Sequence, residues 1–373
     1  MLKIHVLNVG LGDSLIIETS NPEGEKLYSI IDCKKIGGVT PTVQFLQEKE
    51  IRNLSSLLIT HLHEDHISGL PDLYDYLKTN GGTLNFFITP NLGDEAKLKQ
   101  DLATKLYRNT PPSERKRLIK SLKDIESLLT DSSYCPEPTI MLRGAYEGSD
   151  WKTQLHPGLE FAFLHPNHQE ALSFLKDILK REASFKNNLN DISLVFMLKE
   201  AQNSSRLYLF CGDLDRKQSW LTIANRFDNF TSRFDYTDLK YVKFPHHGGK
   251  NHPFISTLSK LTHQENDLFV SFSCPFNDKN HPHQDTLYKL KNSFKNVHFA
   301  CTNMSQPCFH KSSKEIEPSD FFDKTEEEEE FDDFVENKDK YTCKECAGDH
   351  IFLCEKEFKF KNSTGCYCNF GLS

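Results

Sequence analysis

Three imidazoles and two carboxylates fall within the six residues His61-Leu62-His63-Glu64-Asp65-His66. Folding gives no reason for such a concentration, because each of these groups costs free energy when buried without a partner. Neutral imidazole nitrogens and carboxylate oxygens are, however, the donors that zinc and its neighbours in the transition series accept. The spacing His-x-His-x-Asp-His lets one short loop serve two ions, with His61 and His63 facing one and Asp65 and His66 the other.

Later stretches offer groups of the same kind, each after an apolar run of strand length. Arg206-Leu207-Tyr208-Leu209-Phe210-Cys211 runs into Gly212-Asp213. A carboxylate at the end of a buried strand needs a counter-charge, and a bridging place between two metals would supply one. Tyr241-Val242-Lys243-Phe244 leads through Pro245 to His246-His247-Gly248-Gly249, and Leu268 to Ser273 leads to Asn277 and His281-Pro282-His283. Leu159 to Leu164 ends in His165.

The elements that must position these groups follow from periodicity. Strands are expected at Ile4 to Val9, Ser14 to Glu18, Leu27 to Ile31, Ser56 to Ile59 and Thr83 to Ile88, with a helix near Val43 to Lys49 and another through Leu70, Leu73 and Leu77. This is a β-rich start with helices packed outside the sheet. Asp13 and Asp32 end strands near the edge that carries the His cluster, where they either form turns or support metal ligands. Between about 93 and 150 the spacing becomes helical and Lys97, Lys99, Lys105, Arg108, Arg115, Lys116, Arg117, Lys120 and Lys123 accumulate. That insertion is either a solvated helix pair or a surface for a phosphate backbone or an anionic partner.

The whole chain of 373 residues has a net charge of −8, which argues against a generally nucleic-acid-coating surface. It enters a strand pattern at once, with no signal-peptide pattern, and no run approaches the roughly 18 apolar residues that span a bilayer. A soluble, cytoplasmic protein is expected, without membrane association, its eleven cysteines serving as thiols or metal ligands. Glu326 to Glu330 with the surrounding Phe321, Phe322, Phe331 and Phe334 read as an acidic linker or docking segment. Beyond it, Cys343, Cys346, Cys354, Cys366 and Cys368 have the makings of a structural zinc site, with His350 as a further donor.

In their order along the chain, His61-x-His63-x-Asp65-His66, Gly212-Asp213 and His246-His247-Gly248 resemble the metallo-β-lactamase fold, and more narrowly its competence-protein, ComEC-like branch. Asn8-Val9-Gly10-Leu11-Gly12-Asp13-Ser14, Ile31-Asp32, Asn190 to Val195, Asn277 and His281-Pro282-His283 match as well. The resemblance spans about 1–306. It implies a four-layered αββα sandwich with a binuclear metal site on one edge, usually zinc and sometimes manganese or iron. By position, His61 and His63 would bind the first metal, Asp65 and His66 the second, and Asp213 both; His247 would complete the second, with His246 as the fallback. The family's additional His has no clear counterpart, and His165, with His156 behind it, is the candidate. Departures from the branch are Leu11 where Gln is usual and Cys33 after Asp32 where Gly is usual.

The expected domains are a hydrolase domain over 1–306 containing the insertion, an acidic linker over 307–340 and a Cys-rich tail over 341–373. The expected chemistry is hydrolysis by a hydroxide held between two metals, with Asp65 and Asp213 at the reacting centre. His281, His283 or Lys250 would protonate the leaving group or steady developing charge. The competence branch points to phosphodiester cleavage and hence a nuclease acting on DNA or RNA. Small esters, lactones or thioesters are the alternative, and a third reading is an effector switched on by a protein partner that binds the insertion or tail.

Overall fold

A computed structural model describes residues 2–21, 23–90, 150–152, 155–167, 169–171, 189–200, 206–231, 238–250, 252–262, 267–274, 281–302, 350–354 and 358–362. The basic insertion, Asn277, the acidic run, Cys343, Cys346, Cys366 and Cys368 lie outside these residues.

The chain begins with β1 (Leu2–Val6), β2 (Leu15–Ser20) and β3 (Lys26–Ile31), then α1 (Pro41–Glu48), β4 (Asn53–Leu58), α2 (Glu64–Ile67), α3 (Leu70–Thr79) and β5 (Thr83–Ile88). After the insertion come β6 (Asp150–Lys152), β7 (Leu159–His165), β8 (Val195–Glu200), β9 (Arg206–Phe210), α4 (Lys217–Thr231) and β10 (Asp238–Lys243). The last described elements are α5 (Phe254–Leu261), β11 (Asp267–Phe272), α6 (Gln284–Ser293), β12 (Asn296–Cys301), β13 (His350–Cys354) and β14 (Phe358–Asn362).

Two sheets of seven strands result, in the orders β14-β13-β1-β2-β3-β4-β5 and β12-β11-β10-β9-β8-β7-β6. Side-chain alternation explains why they stack. On β2, Leu15 and Ile17 point to one apolar layer and Ile16 to another; on β9, Tyr208 and Phe210 oppose Leu207 and Leu209 in the same way. Strands buried on both faces read as the near-continuous apolar runs seen in the sequence. The central layer joins Ile4, Val6, Ile17 and Leu58 of the first sheet to Phe163, Phe196, Phe210 and Tyr241 of the second. The outer face of the first sheet packs on Val43 and Leu46 of α1 and Leu70, Leu73 and Leu77 of α3. The outer face of the second is covered by Trp220 of α4, Phe254 and Leu258 of α5, and Leu287 and Leu290 of α6. The four layers are therefore helix, sheet, sheet, helix, as the resemblance implied.

Strand direction brings the chemical groups together. β3, β4 and β5 run parallel, and β1 shares their direction because it is antiparallel to β2, which is antiparallel to β3. β9, β10, β11 and β12 are parallel, and β7 runs with them across the antiparallel β8. The carboxyl ends of β3 and β4 thus meet at one edge, where Asp32 N–H donates to the Leu58 carbonyl at 2.8 Å. At this edge the two sheets are tied by an ion pair of 2.8 Å between Asp13, after β1, and Lys243, the last residue of β10, both essentially buried.

One difference from the sequence reading concerns the far end of the chain. His350–Cys354 and Phe358–Asn362, in the stretch read as a Cys-rich appendage, form a hairpin whose first strand pairs antiparallel with β1, Cys354 lying opposite Leu2. Strand pairing at so long a sequence separation has no local signature.

His156, the reserve candidate for the missing ligand, is bound elsewhere: its ring hydrogen-bonds Thr19 of β2 and Ser29 of β3, the latter at 2.7 Å. Burial pushes its pKa from 6.5 down to about 4. Between pH 6.5 and 4 the unfolded chain therefore binds the additional proton, and this residue's share of stability falls as the pH falls through that window. Urea titrations at pH 7 and pH 4.5 should show a smaller acid-induced loss for His156→Gln than for wild type. Lys243→Met, which strands the buried Asp13 charge, should cost about 3–5 kcal/mol. Adding Asp13→Asn should recover much of it in a double-mutant cycle read by the same denaturation.

Candidate metal centre

The His61–His66 loop leaves β4 at the shared edge and is held there by Asp32. One Asp32 oxygen accepts from Thr60 N–H at 2.7 Å; the other accepts from Thr60 Oγ1 and His66 Nδ1, both also at 2.7 Å. Asp32 has φ 55°, a left-handed conformation that aspartate tolerates better than most residues. Burial pushes its carboxyl up from the usual value, opposed by the charge of His66. The hydrogen bond fixes which ring nitrogen of His66 carries the proton, and leaves Nε2 facing inward, 3.3 Å from Asp213 Oδ2 and 3.8 Å from Asp65 Oδ2. This is the carboxylate–imidazole pairing that orients metal-ligating histidines.

Glycine makes the close approaches. At Gly12, φ is +126° and a Cβ would sit 2.1 Å from the Asp65 carbonyl oxygen, which accepts the Asp13 N–H. At Gly212, φ is +50° and a Cβ would press on Thr60 and on the Leu194 carbonyl. Only glycine suits both constraints, so β9 can deliver Asp213 directly beneath the His loop. The Asp213 N–H donates to Ser193 Oγ at 3.2 Å, which orients the residue further.

Asp65, His66, Asp213 and His247 converge, each offering a ligand atom within 4.8 Å of the others. His247 Nε2 lies 3.2 Å from Asp213 Oδ2 and 3.7 Å from Asp65 Oδ2. Beside this group, His61 Nε2 lies 3.0 Å from His63 Nδ1 and 4.0 Å from Asp213 Oδ2. Asp213 Oδ1, His66 Nε2 and both ring nitrogens of His247 are buried without a hydrogen-bond partner. Leaving such atoms unsatisfied costs about 1–3 kcal/mol each. Hydrogen bonding within the protein therefore does not account for the arrangement, whereas the donor set suits divalent cations.

The electrostatics agree. Burial alone would push His66 down, but the carboxylates of Asp213, Asp32 and Asp65 hold it well above its usual value. His247 is likewise raised against burial, to about 9, chiefly by Asp213. Burial works to raise Asp213, yet His247 and His66 keep it well below the usual carboxylate range. A field that holds protons on two buried imidazoles would also attract a cation, which displaces those protons on binding. His61 is held well below its usual value by burial and by the neighbouring imidazoles, which keeps its ring neutral and able to ligate.

The remaining candidates divide. His246 turns away from Asp213, placing Nδ1 3.3 Å from Asp215. His165 is buried at the same edge and donates through Nδ1 to the Ser193 carbonyl at 2.8 Å, with Nε2 3.4 Å from Glu170; it is in none of the converging groups found among the described residues. His281 stands beside the centre, its ring 6.2 Å from that of His247. His283 accepts the Asp285 N–H at 3.2 Å and caps α6, while Lys250, well exposed, lies 3.8 Å from Asp285. Sequence reasoning missed Lys243 as the partner of Asp13, and missed Asp215 and His252. The Asp-x-Asp spacing of Asp213 and Asp215 was the available signal.

The model of the metallo-beta-lactamase superfamily matches residues 12–83, a segment that holds Asp13, Asp32 and the whole His61–His66 loop. With the αββα layering, this gives the chain the metallo-β-lactamase fold. No curated protein matches the sequence. Among solved structures, the metallo-beta-lactamase fold protein YhfI from Bacillus subtilis aligns at a TM-score of 0.42 and 10% identity, over 80% of this chain and 96% of that one. A diphosphatase from the PhnP family aligns at 0.40 and 13% identity, over 80% and 95%. A long-form RNase Z from yeast aligns at 0.37 and 10% identity, over 80% of this chain and 40% of that one.

Asp32→Asn would keep the shape but offer an amide to His66 Nδ1. Divalent-cation affinity should fall about 10–100-fold, measured by competition with a chromophoric chelator, with the far-UV spectrum unchanged.

Proposed function

We propose that this protein is a binuclear-metal hydrolase that cleaves phosphodiesters. The observation that carries the reading is the convergence of Asp65, His66, Asp213 and His247, with unpartnered ligand atoms, beside the His61–His63 pair. In this reading His61, His63 and Asp213 would hold one cation, and Asp65, His66, Asp213 and His247 would hold the other. Bound there, divalent cations supply Lewis acidity and bring the ionisation of water toward neutral pH.

The chain's own residues do the positioning. Asp32 and Thr60 hold the ligand loop against β4, and Ser193 and Gly212 set the height of Asp213. The Asp13–Lys243 pair keeps the two sheets in register where ligands from both must meet. His281 and His246 border the centre from the second sheet, their rings 6.4 Å apart.

Phosphodiesters are favoured by the resemblance to the competence branch and by the basic residues between Lys97 and Lys123, which suit a nucleic-acid strand. A small apolar ester is the second reading. It draws on the exposed Leu11, Ile36 and Val39: Leu11 precedes Gly12, which abuts Asp65, and its carbonyl accepts from Lys34, close to the turn of Ile36 and Val39.

The test is metal analysis together with single- and double-stranded DNA, RNA, small phosphodiesters, a lactone and a thioester. Wild type would be compared with Asp213→Ala and His61→Ala. Phosphodiester cleavage should depend on added zinc, manganese or iron and fall more than about a hundredfold in both variants, since loss of an outer residue of a metal site alone commonly costs about 10–100-fold and these residues would be ligands. Cleavage of the lactone or thioester alone would overturn the phosphodiester reading, and full activity in both variants would remove the metal centre from the reaction.

A further inference from the structure

A second group of titratable side chains lies next to the candidate metal centre and is absorbed by none of its roles. Asp215, His246 and His252 bring ligand-type atoms within 4.8 Å of one another. Asp215 Oδ2 is 3.3 Å from His246 Nδ1, and its Oδ1 is 3.6 Å from His252 Nε2. His252 is buried, walled by the edges of Trp220 and Phe244, while Asp215 and His246 are partly exposed.

The hydrogen bonding decides between two uses of this group. His252 Nδ1 accepts the Phe254 N–H at 3.2 Å, so its lone pair is on Nδ1 and its proton on Nε2, which faces Asp215 Oδ1 at 3.6 Å, ion-pair distance without a hydrogen bond. An imidazole in that tautomer has no lone pair on Nε2 to give a cation, and it turns the positive end of its N–H dipole toward the Asp215 carboxylate. Asp215 then has one oxygen facing His252 and the other set for His246, whose Nδ1 must carry the proton that meets it. The order Phe254 N–H, His252, Asp215, His246 runs from the core outward and ends on His246 Nε2.

His246 and His247 are held in left-handed backbone, φ 45° and 56°, a costly conformation for two successive non-glycine residues. It turns neighbouring rings to different carboxylates, His247 to Asp213 and His246 to Asp215. The His246 ring is 6.1 Å from that of His247 and 6.4 Å from that of His281.

We propose that Asp215 and His252 are positioning residues that lock His246 with its proton on Nδ1, presenting Nε2 to a substrate oxygen at the metal centre. The contact with substrate rests on the hydrolase reading above; the locked tautomer does not. His246 takes the place of a substrate-facing group rather than that of a metal ligand. Asp215 acts only through it, and His252 only through Asp215.

Selective nitrogen-15 labelling of histidine in the full-length, zinc-loaded protein reads the tautomer directly. Wild type should give His246 as the Nδ1–H form, assigned by its loss in His246→Gln, and Asp215→Asn should convert it to a mixture or to the Nε2–H form. With bis(p-nitrophenyl) phosphate as the probe, Asp215→Asn should lower kcat about a hundredfold with KM and bound zinc unchanged, as a misplaced group does. His252→Gln should lower it about tenfold. Asp215 is half exposed and its amide nearly isosteric, so that variant separates the effect from misfolding. An unchanged His246 tautomer in Asp215→Asn overturns the proposal. Loss of one zinc in Asp215→Asn or His252→Gln also overturns it, by making the group a metal site. If wild type cleaves no phosphodiester, the function proposed above fails, while the spectra still decide whether His246 is locked.

Discussion

The buried carboxylate of Asp213 is the constraint on which the rest of this edge depends. It stands at the end of a strand buried on both faces, with Oδ1 unpartnered and two imidazoles at ion-pair distance from Oδ2. A lone ionised carboxylate in such a place would take up a proton rather than stay charged. Here it stays charged because positive charge is delivered to it from both sheets: His66 from the first, His247 from the second. Asp32, Thr60, Ser193 and the Asp13–Lys243 pair bring those partners to Asp213 or fix their orientation.

Two further ionic contacts serve that end at different depths. Asp32 acts on a single ring, setting its proton and its direction, and does so from the neighbouring parallel strand, so its position is as rigid as the sheet. The Asp13–Lys243 pair acts on whole layers. It joins the loop after β1 to the end of β10, and His247 lies only four residues beyond Lys243. A buried ion pair is a weak source of net stability compared with apolar packing of the same volume. Its worth here is specificity of alignment: the inter-sheet layer of Phe163, Phe196, Phe210 and Tyr241 is apolar and non-directional, and does not by itself fix which residues meet at its rim.

Much of this was legible in the chain. The loop His61–His66 carries its chemistry in its spacing, and the strand runs before Asp32, Thr60, Asp213 and His246 have the unbroken apolar character of strands covered on both faces. His283 read equally well as a catalytic group and as a cap, and the structure has it capping α6. The choice between His246 and His247 was open because adjacent residues differ only in where the backbone sends them, and two left-handed φ values send them to different carboxylates. Asp215 is marked in the sequence only by its Asp-x-Asp spacing with Asp213, and nothing local pairs it with His252 or His246. The hairpin β13–β14 was read as part of an appendage, since pairing with β1 leaves no trace in its own pattern.

What the sequence determined, then, was the kind of chemistry and the material of the layers: ligand-type residues after strand-length apolar runs, an order of motifs that resembles one fold, and a helix-covered sheet. Those properties are local, fixed by side-chain type and by periods of two and of three to four residues. Only the tertiary structure decided which ligands share a point, which imidazole faces which carboxylate, and which oxygen is left without a partner. Such matters depend on distances between strands far apart in the chain, and on the tautomer and direction that a neighbour's hydrogen bond imposes on a ring.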